Sequence, residues 1–107
     1  MKTLVNLIRL ENFEQEVIAE KRPVLLLCMQ RDEEYPKQLK LMEDIAERYI
    51  NELKVCVLQE ETIEPFKKSY SILGTPTFLI MREGKERRRM LGLADQETLI
   101  NLISNFQ

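Results

Sequence analysis

One stretch constrains this chain more than any other: Val24-Leu25-Leu26-Leu27-Cys28-Met29, an unbroken apolar run directly behind Pro23. In a strand, successive side chains point to opposite faces, so a run without a polar residue has to be buried on both. It is far shorter than the ~20 apolar residues of a membrane helix. It reads as the central strand of a sheet with helices on either side, and the flanking sequence has to supply those helices.

It does so on both sides. Thr3 to Ile8 reads as a short strand, rich in β-formers and free of breakers. Glu11 or Asn12 can cap a helix whose apolar face is Phe13, Val17 and Ile18. After the central strand, residues 30–36 are polar or turn-forming. The pattern then predicts a helix from about Pro36 to Ile50, with Leu39, Met42, Ile45, Ala46, Tyr49 and Ile50 inward and Glu43, Asp44, Glu47 and Arg48 outward. Leu53 to Leu58 is a further strand, and Thr62 to Tyr70 a short helix with Ile63, Phe66 and Tyr70 inward. Thr77 to Arg82 is a strand, and Glu83-Gly84 a tight turn that pairs it with Lys85 to Leu91 as a hairpin. Asp95 caps a last helix that buries Leu99, Leu102, Ile103 and Phe106. The order is βαβαβαββα, an α/β fold with a central mixed sheet covered by helices on both faces. No linker or repeat interrupts it, so residues 1–107 are expected to form a single domain.

Composition removes several classes of function. With 16 basic and 18 acidic residues the net charge is −2, which argues against a nucleic-acid partner, since a basic excess drives such binding. The N-terminal apolar residues Leu4, Val5, Leu7 and Ile8 are broken by Asn6 and Arg9, so neither a signal peptide nor a membrane segment is expected; the expected location is cytoplasmic. There is no His, which excludes Ser-His and Cys-His nucleophile pairs and His-ligated metals. Acid–base chemistry is left to carboxylates, Lys, Tyr or a shifted Cys. The only cysteines, Cys28 and Cys56, form no Cys-x-x-Cys and lie inside apolar strands, where a thiol packs as a small hydrophobe and loses reactivity. Asp32, Glu33 and Glu34 open the helix that follows the central strand, and each offsets its dipole by roughly 0.3–1 kcal/mol. Pro36 suits an early helical position. As cation ligands these acids lack a fourth oxygen donor and a loop Gly, so no metal and no cofactor is expected. Lys85-Glu86-Arg87-Arg88-Arg89 falls on the edge hairpin, where charge deters sheet-to-sheet aggregation; a phosphate or an acidic partner there is an open alternative.

Tyr70 followed by Ser71-Ile72-Leu73-Gly74-Thr75-Pro76-Thr77-Phe78 and a Gly turn at Gly84, with Gly92 and Leu99 later, resembles the thioredoxin family over nearly the whole chain. Pro23 to Leu27 and Asp44 to Tyr49 resemble its central strand and second helix. The resemblance implies a thioredoxin fold with a cis bond at Thr75-Pro76. It also implies a Trp-Cys-x-x-Cys dithiol at the start of the second helix. Counting forward from Pro23 puts the two cysteine positions at Glu33 and Pro36; counting back from Ile45-Ala46 puts them at Asp32 and Tyr35. Neither count meets a cysteine, and the disagreement implies a one-residue deletion in this segment. The family's buried Asp and the Lys near it correspond to Leu27 and Val57. The resemblance therefore implies a vacated dithiol site beside an intact peptide-binding surface made of Met29, Gly74, Thr75 and Pro76, with Gly92 and Leu93 at its margin. The function expected is a non-catalytic protein- or peptide-binding domain, or an assembly chaperone, whose partner is a protein and not a nucleic acid or a membrane. The alternative is a thiol-disulfide oxidoreductase-related protein of cell redox homeostasis that uses Cys28 or Cys56 alone. Whether the chain is an enzyme stays open at this point, with the missing dithiol arguing against it.

Overall fold

In the computed structural model, which describes residues 3–106 and their side chains as far as Ser104, strand β2 (Val24–Cys28) is buried along its whole length. It lies between β3 (Lys54–Leu58), which runs parallel to it, and β4 (Thr77–Arg82), which runs antiparallel. β1 (Val5–Ile8) and β5 (Lys85–Leu91) complete the 5-stranded mixed sheet in the order β1-β3-β2-β4-β5. Three helices pack on it: α1 (Tyr35–Arg48), α2 (Ile63–Ser69) and α3 (Gln96–Phe106). This is the α/β arrangement expected from the apolar run. No helix among the described residues is long and apolar enough to cross a membrane.

The two faces of β2 belong to two cores. Leu25 and Leu27 pack with Phe78 and Ile80, with Met42, Ile45 and Ala46 of α1, and with Leu99, Leu102 and Ile103 of α3. Leu26 and Cys28 pack on the other face with Cys56, Leu58, Leu79 and Met81, with Ile63 and Phe66 of α2, and with Val17. Phe13, Phe66 and Tyr70 close that second core, with Phe66 stacked on Tyr70 at 4.5 Å between centroids. The expected burial of Phe106 lies outside the described side chains.

Three local expectations need correction. The segment after β1 is not an α-helix; it forms a 3-10 turn at Leu10–Asn12 and a π turn at Glu14–Ile18. Asn12 does not cap a helix. Its Oδ1 accepts from the Arg9 backbone N–H at 2.8 Å and its Nδ2 donates to the Leu7 carbonyl at 3.3 Å, tying the turn back to the end of β1. The wider π winding still places Phe13, Val17 and Ile18 against one core. Ile50 is not inward. The helix stops at Arg48, which leaves Ile50 51% exposed in the loop that follows. Gln38 occupies a buried position on α1 that the apolar pattern does not mark.

The hairpin turn and the last cap follow the sequence. Glu83 and Gly84 both take positive φ, 52° and 79°, as a two-residue hairpin turn of right-handed strands requires. Asp95 Oδ1 accepts from the Thr98 backbone N–H at 2.8 Å at the start of α3.

At the end of the sheet where β2 and β3 begin, Lys54 is buried. Its Nζ donates to the Glu16 carboxylate at 2.8 Å and to the Glu16 carbonyl at 2.9 Å, and Glu20 lies 3.5 Å away. Glu20 also accepts from Arg22 Nε at 3.0 Å. That hydrogen bond to Arg22 is the main reason the Glu20 carboxyl sits at about 2 instead of 4.5, with Lys54 adding to it. A depressed folded-state pKa stabilises the fold above the unfolded value and is lost as pH falls through the folded one. Stability is therefore expected to drop between about pH 4.5 and pH 2. Glu20→Gln should lower stability at pH 7 and flatten that part of the profile, as measured by urea unfolding across the range. An unchanged slope would show that the Glu20–Arg22 pair does not contribute.

Candidate functional site

In open α/β sheets, ligands bind outside the carboxyl ends of the parallel strands, where chain connections diverge. Here that place is bounded by the β2–α1 junction, the loop before β4 and the residues after β5. Cys28 pairs with Thr77 across β2 and β4, which brings the junction alongside Pro76. Gln38 Nε2 donates to the Ala94 carbonyl and the Ala94 N–H donates back to Gln38 Oε1, both at 3.0 Å, which fixes α1 to the chain after β5.

The junction is occupied by Arg31. Its Nη1 donates to the Met29 carbonyl at 3.0 Å and its Nη2 to the Leu58 carbonyl at 2.8 Å, and its guanidinium lies 4.2 Å from the centroid of the Tyr35 ring. One side chain thus satisfies carbonyls at the ends of two neighbouring strands and stacks on the first residue of α1. Asp32 Oδ1 accepts from the Glu34 backbone N–H at 2.9 Å, and the Asp32 carbonyl accepts from the Tyr35 N–H at 3.2 Å. Asp32, Glu33 and Pro36 are exposed and Tyr35 is half-buried. The two pairs of positions counted from the sequence, Asp32 with Tyr35 and Glu33 with Pro36, thus lie at or just before the start of α1. Contrary to the expectation, Asp32, Glu33 and Glu34 precede its first turn, which holds no acid, and Glu34 at the N-cap makes no side-chain cap bond. Beneath them Leu27 pairs with Val57 on one side and Phe78 on the other, and all three are buried. No ionisable side chain reaches this floor from β2 or β3.

The second half of the site is the loop before β4. The Thr75–Pro76 peptide is cis. The Thr77 hydroxyl donates to the Gly74 carbonyl at 2.6 Å, and the Gly92 N–H donates to the Pro76 carbonyl at 2.8 Å. Gly74 and Thr75 are half-exposed, while Pro76 is buried. Leu73 is 92% exposed, Leu91 60% and Leu93 54%. An added Cβ on Gly74 would sit 3.5 Å from Leu91 Cδ1, so Leu91 borders the loop, with the exposed Leu73 and Leu93 next in sequence to Gly74 and Gly92. Met29 is not part of it. Its side chain is fully buried between the sheet and α1, because β2's alternation carries on one residue past the strand end and turns it into the core.

Cys28 and Cys56 are both free and buried in the α2-side core. Burial pushes the Cys28 thiol up to about 11 and the Cys56 thiol up to about 12. Among the described residues, no group of three or more His, Cys, Asp or Glu side chains is placed to hold a metal. Sequence reasoning placed Leu93 at the margin but missed Arg31, Gln38 and the exposed Leu73 and Leu91. Arg31 and Gln38 act through main-chain carbonyls and amides far along the chain. The leucines look like core residues until the loop geometry turns them outward.

The family model described as thioredoxin matches residues 4–105. A thioredoxin of Chlamydia trachomatis serovar D is 42% identical over 40 residues, covering 37% of this chain and 39% of that relative. A chloroplastic M-type thioredoxin of Triticum aestivum and a chloroplastic thioredoxin M5 of Oryza sativa subsp. japonica are each 21% identical over 66 residues, covering 62% of this chain and 38% of theirs. The chain thus matches about two fifths of the length of these relatives.

The thiol chemistry can be checked directly. A thiol near 11 in place of 9.0 has about a hundredfold less thiolate at neutral pH, and one near 12 still less. Iodoacetamide at pH 7 should therefore alkylate the native protein at least about a hundredfold more slowly than the urea-unfolded chain. Equal rates at either cysteine would contradict its burial.

Proposed function

The chain belongs to the thioredoxin family, and from that premise we propose that it is a redox-inactive member that binds protein or peptide segments. Its role would be to hold or assemble a partner. The observation that carries this reading is the helix start itself: Asp32, Glu33, Tyr35 and Pro36 stand where a dithiol would. Disulfide exchange needs an accessible thiolate to attack and a second thiol to resolve the mixed disulfide. Neither is available at this helix, and the buried Cys28 and Cys56 are poor substitutes. The apolar floor of Leu27, Val57 and Phe78 supports the same reading, because it offers no carboxylate to accept a proton from a resolving thiol. The name thioredoxin carried by the relatives belongs to those proteins.

The retained half of the site supports binding. A loop with a half-exposed Thr75 and the exposed Leu73, Leu91 and Leu93 suits an extended, partly apolar segment that adds main-chain hydrogen bonds beside Thr75. The reading makes two expectations. Dithiothreitol-recharged protein should not reduce insulin disulfides above the dithiothreitol background, and turnover at a dithiol thioredoxin's level would refute redox inactivity. Reduced, carboxamidomethylated ribonuclease A, an unfolded chain without free thiols, should shift the amides of Gly74, Thr75 and Thr77. Thr75→Arg should weaken that binding while leaving the thermal midpoint unchanged. Binding that leaves these amides unmoved would remove the loop from the reading.

A further inference from the structure

β5 is an outer strand of the sheet, hydrogen-bonded to β4 alone. All its residues are exposed except Met90, which is half-buried. The Gly92 N–H points inward to the Pro76 carbonyl at 2.8 Å. By strand alternation Met90 and Arg88 also turn their main-chain groups toward β4, and Arg89 and Leu91 turn theirs away from it. That outward ladder has no partner strand among the described residues.

The same hairpin concentrates positive charge. Arg82, Lys85, Arg87, Arg88 and Arg89 fall within eight residues of a chain whose net charge is −2. Arg89 is committed: it pairs with Glu86 at 2.7 Å and donates to the Tyr70 and Ser71 carbonyls at 2.6 and 3.0 Å. Arg82, Lys85, Arg87 and Arg88 are exposed and make no ion pair among the described residues. The register Arg82↔Lys85 and Ile80↔Arg88 sets Arg82, Lys85 and Arg88 on one face of the hairpin, the face of the α1 and α3 core. Leu91, paired with Thr77, lies on the other face with Arg89.

We propose that the β5 edge takes an extended acidic segment of a partner protein as a sixth strand. Its main chain would pair with the outward groups of Arg89 and Leu91. Its acidic side chains, at alternate positions, would meet Arg82, Lys85 and Arg88. Edge protection alone needs only a charge or two and is served by either sign; four unpaired cations exceed it. A second copy is the wrong occupant, because β5 against β5 sets cations opposite cations, which destabilises a strand pair. A nucleic acid could meet the charge but has no alternating N–H and C=O ladder to offer the edge. This surface meets the margin of the Gly74–Thr77 loop at Leu91, and the two readings are told apart by which amides move: residues 85–90 for the edge, Gly74, Thr75 and Thr77 for the loop.

The test is a titration of the ¹⁵N-labelled full chain with an acetylated, amidated alternating Glu-Val peptide of about eight residues at low salt. The expected result is amide shifts centred on residues 85–91 and slowed hydrogen exchange at Arg89 and Leu91. The Lys85→Glu/Arg88→Glu variant should weaken binding about tenfold or more, and Lys85→Gln/Arg88→Gln by a smaller factor. Four outcomes would overturn the proposal: no shift along β5, unchanged affinity in the charge-reversed protein, equal binding of a Lys-Val peptide, or the same shifts and exchange protection from a single-stranded oligonucleotide. Insulin turnover would leave it untouched.

Discussion

The burial of β2 on both faces is the constraint on which the rest depends. A strand of Val, Leu and Cys with no polar side chain is stable only if two layers cover it, and each fully buried leucine contributes roughly 1.5–3 kcal/mol for that cover. α1 and α3 cover one face, α2 and the π turn the other. The order β1-β3-β2-β4-β5 follows, because the apolar strands β3 and β4 take the central places beside β2, and the short β1 and the charged β5 are left as edges. The same constraint decides the chemistry at the strand's end. A carboxylate at position 27 would stand between Val57 and Phe78 in a dry core, at a cost of several kcal/mol without a partner. Leu27 removes that cost and removes any proton acceptor with it.

Arg31 shows that the helix start is not merely short of cysteines. Strands that stop beneath a helix N-terminus leave carbonyls to be satisfied, and at β2 and β3 one guanidinium does so for both Met29 and Leu58. Its position over Tyr35 ties the first residue of α1 to the ends of both strands. Of the acids that follow, Asp32 and Glu33 are exposed and Glu34 is half-buried, and Asp32 closes a turn onto the Glu34 N–H just ahead of α1. Charge, hydrogen bonding and packing at this point all favour a closed, rigid corner.

Much of this was legible in the chain because it depends on local pattern. β4, β5 and their turn begin and end where the alternation and Glu83-Gly84 say, and Asp95 caps as a residue of its type should. Phe13, Val17 and Ile18 marked the right inward face but the wrong winding, because spacings of four and five suit a π turn as well as a helix; Asn12's local bonds back to Arg9 and Leu7 hold the tight turn ahead of it. At the site, the absence of a dithiol could be read from two cysteines in strands. Arg31 and Gln38 there, and Lys54 at the far end of the sheet, could not, because each is defined by partners 27, 56 and 38 residues away. Met29 was misplaced for a simpler reason: the run that predicts burial of β2 also buries the residue after it.

The two exposed surfaces that remain obey different physics and meet at Leu91. The loop side offers leucines and a half-exposed backbone, where affinity would come from apolar area and would be nearly independent of salt. The β5 side offers cations and a ladder, where charge sets the encounter rate and screening weakens it over about 10 Å at 0.1 M salt. Leu91 ends β5, and Gly92 turns directly onto Pro76. An extended segment laid along β5 toward Gly92 therefore passes from the arginines to the leucines without leaving the backbone edge. A segment whose acids and apolar residues ran in the opposite order would place carboxylates beside Leu73, Leu91 and Leu93 and leave Lys85 and Arg88 unpaired. In the proposed pairing, direction along β5 would be discriminated by the protein's own charge pattern, giving the edge a polarity that main-chain pairing alone would not provide.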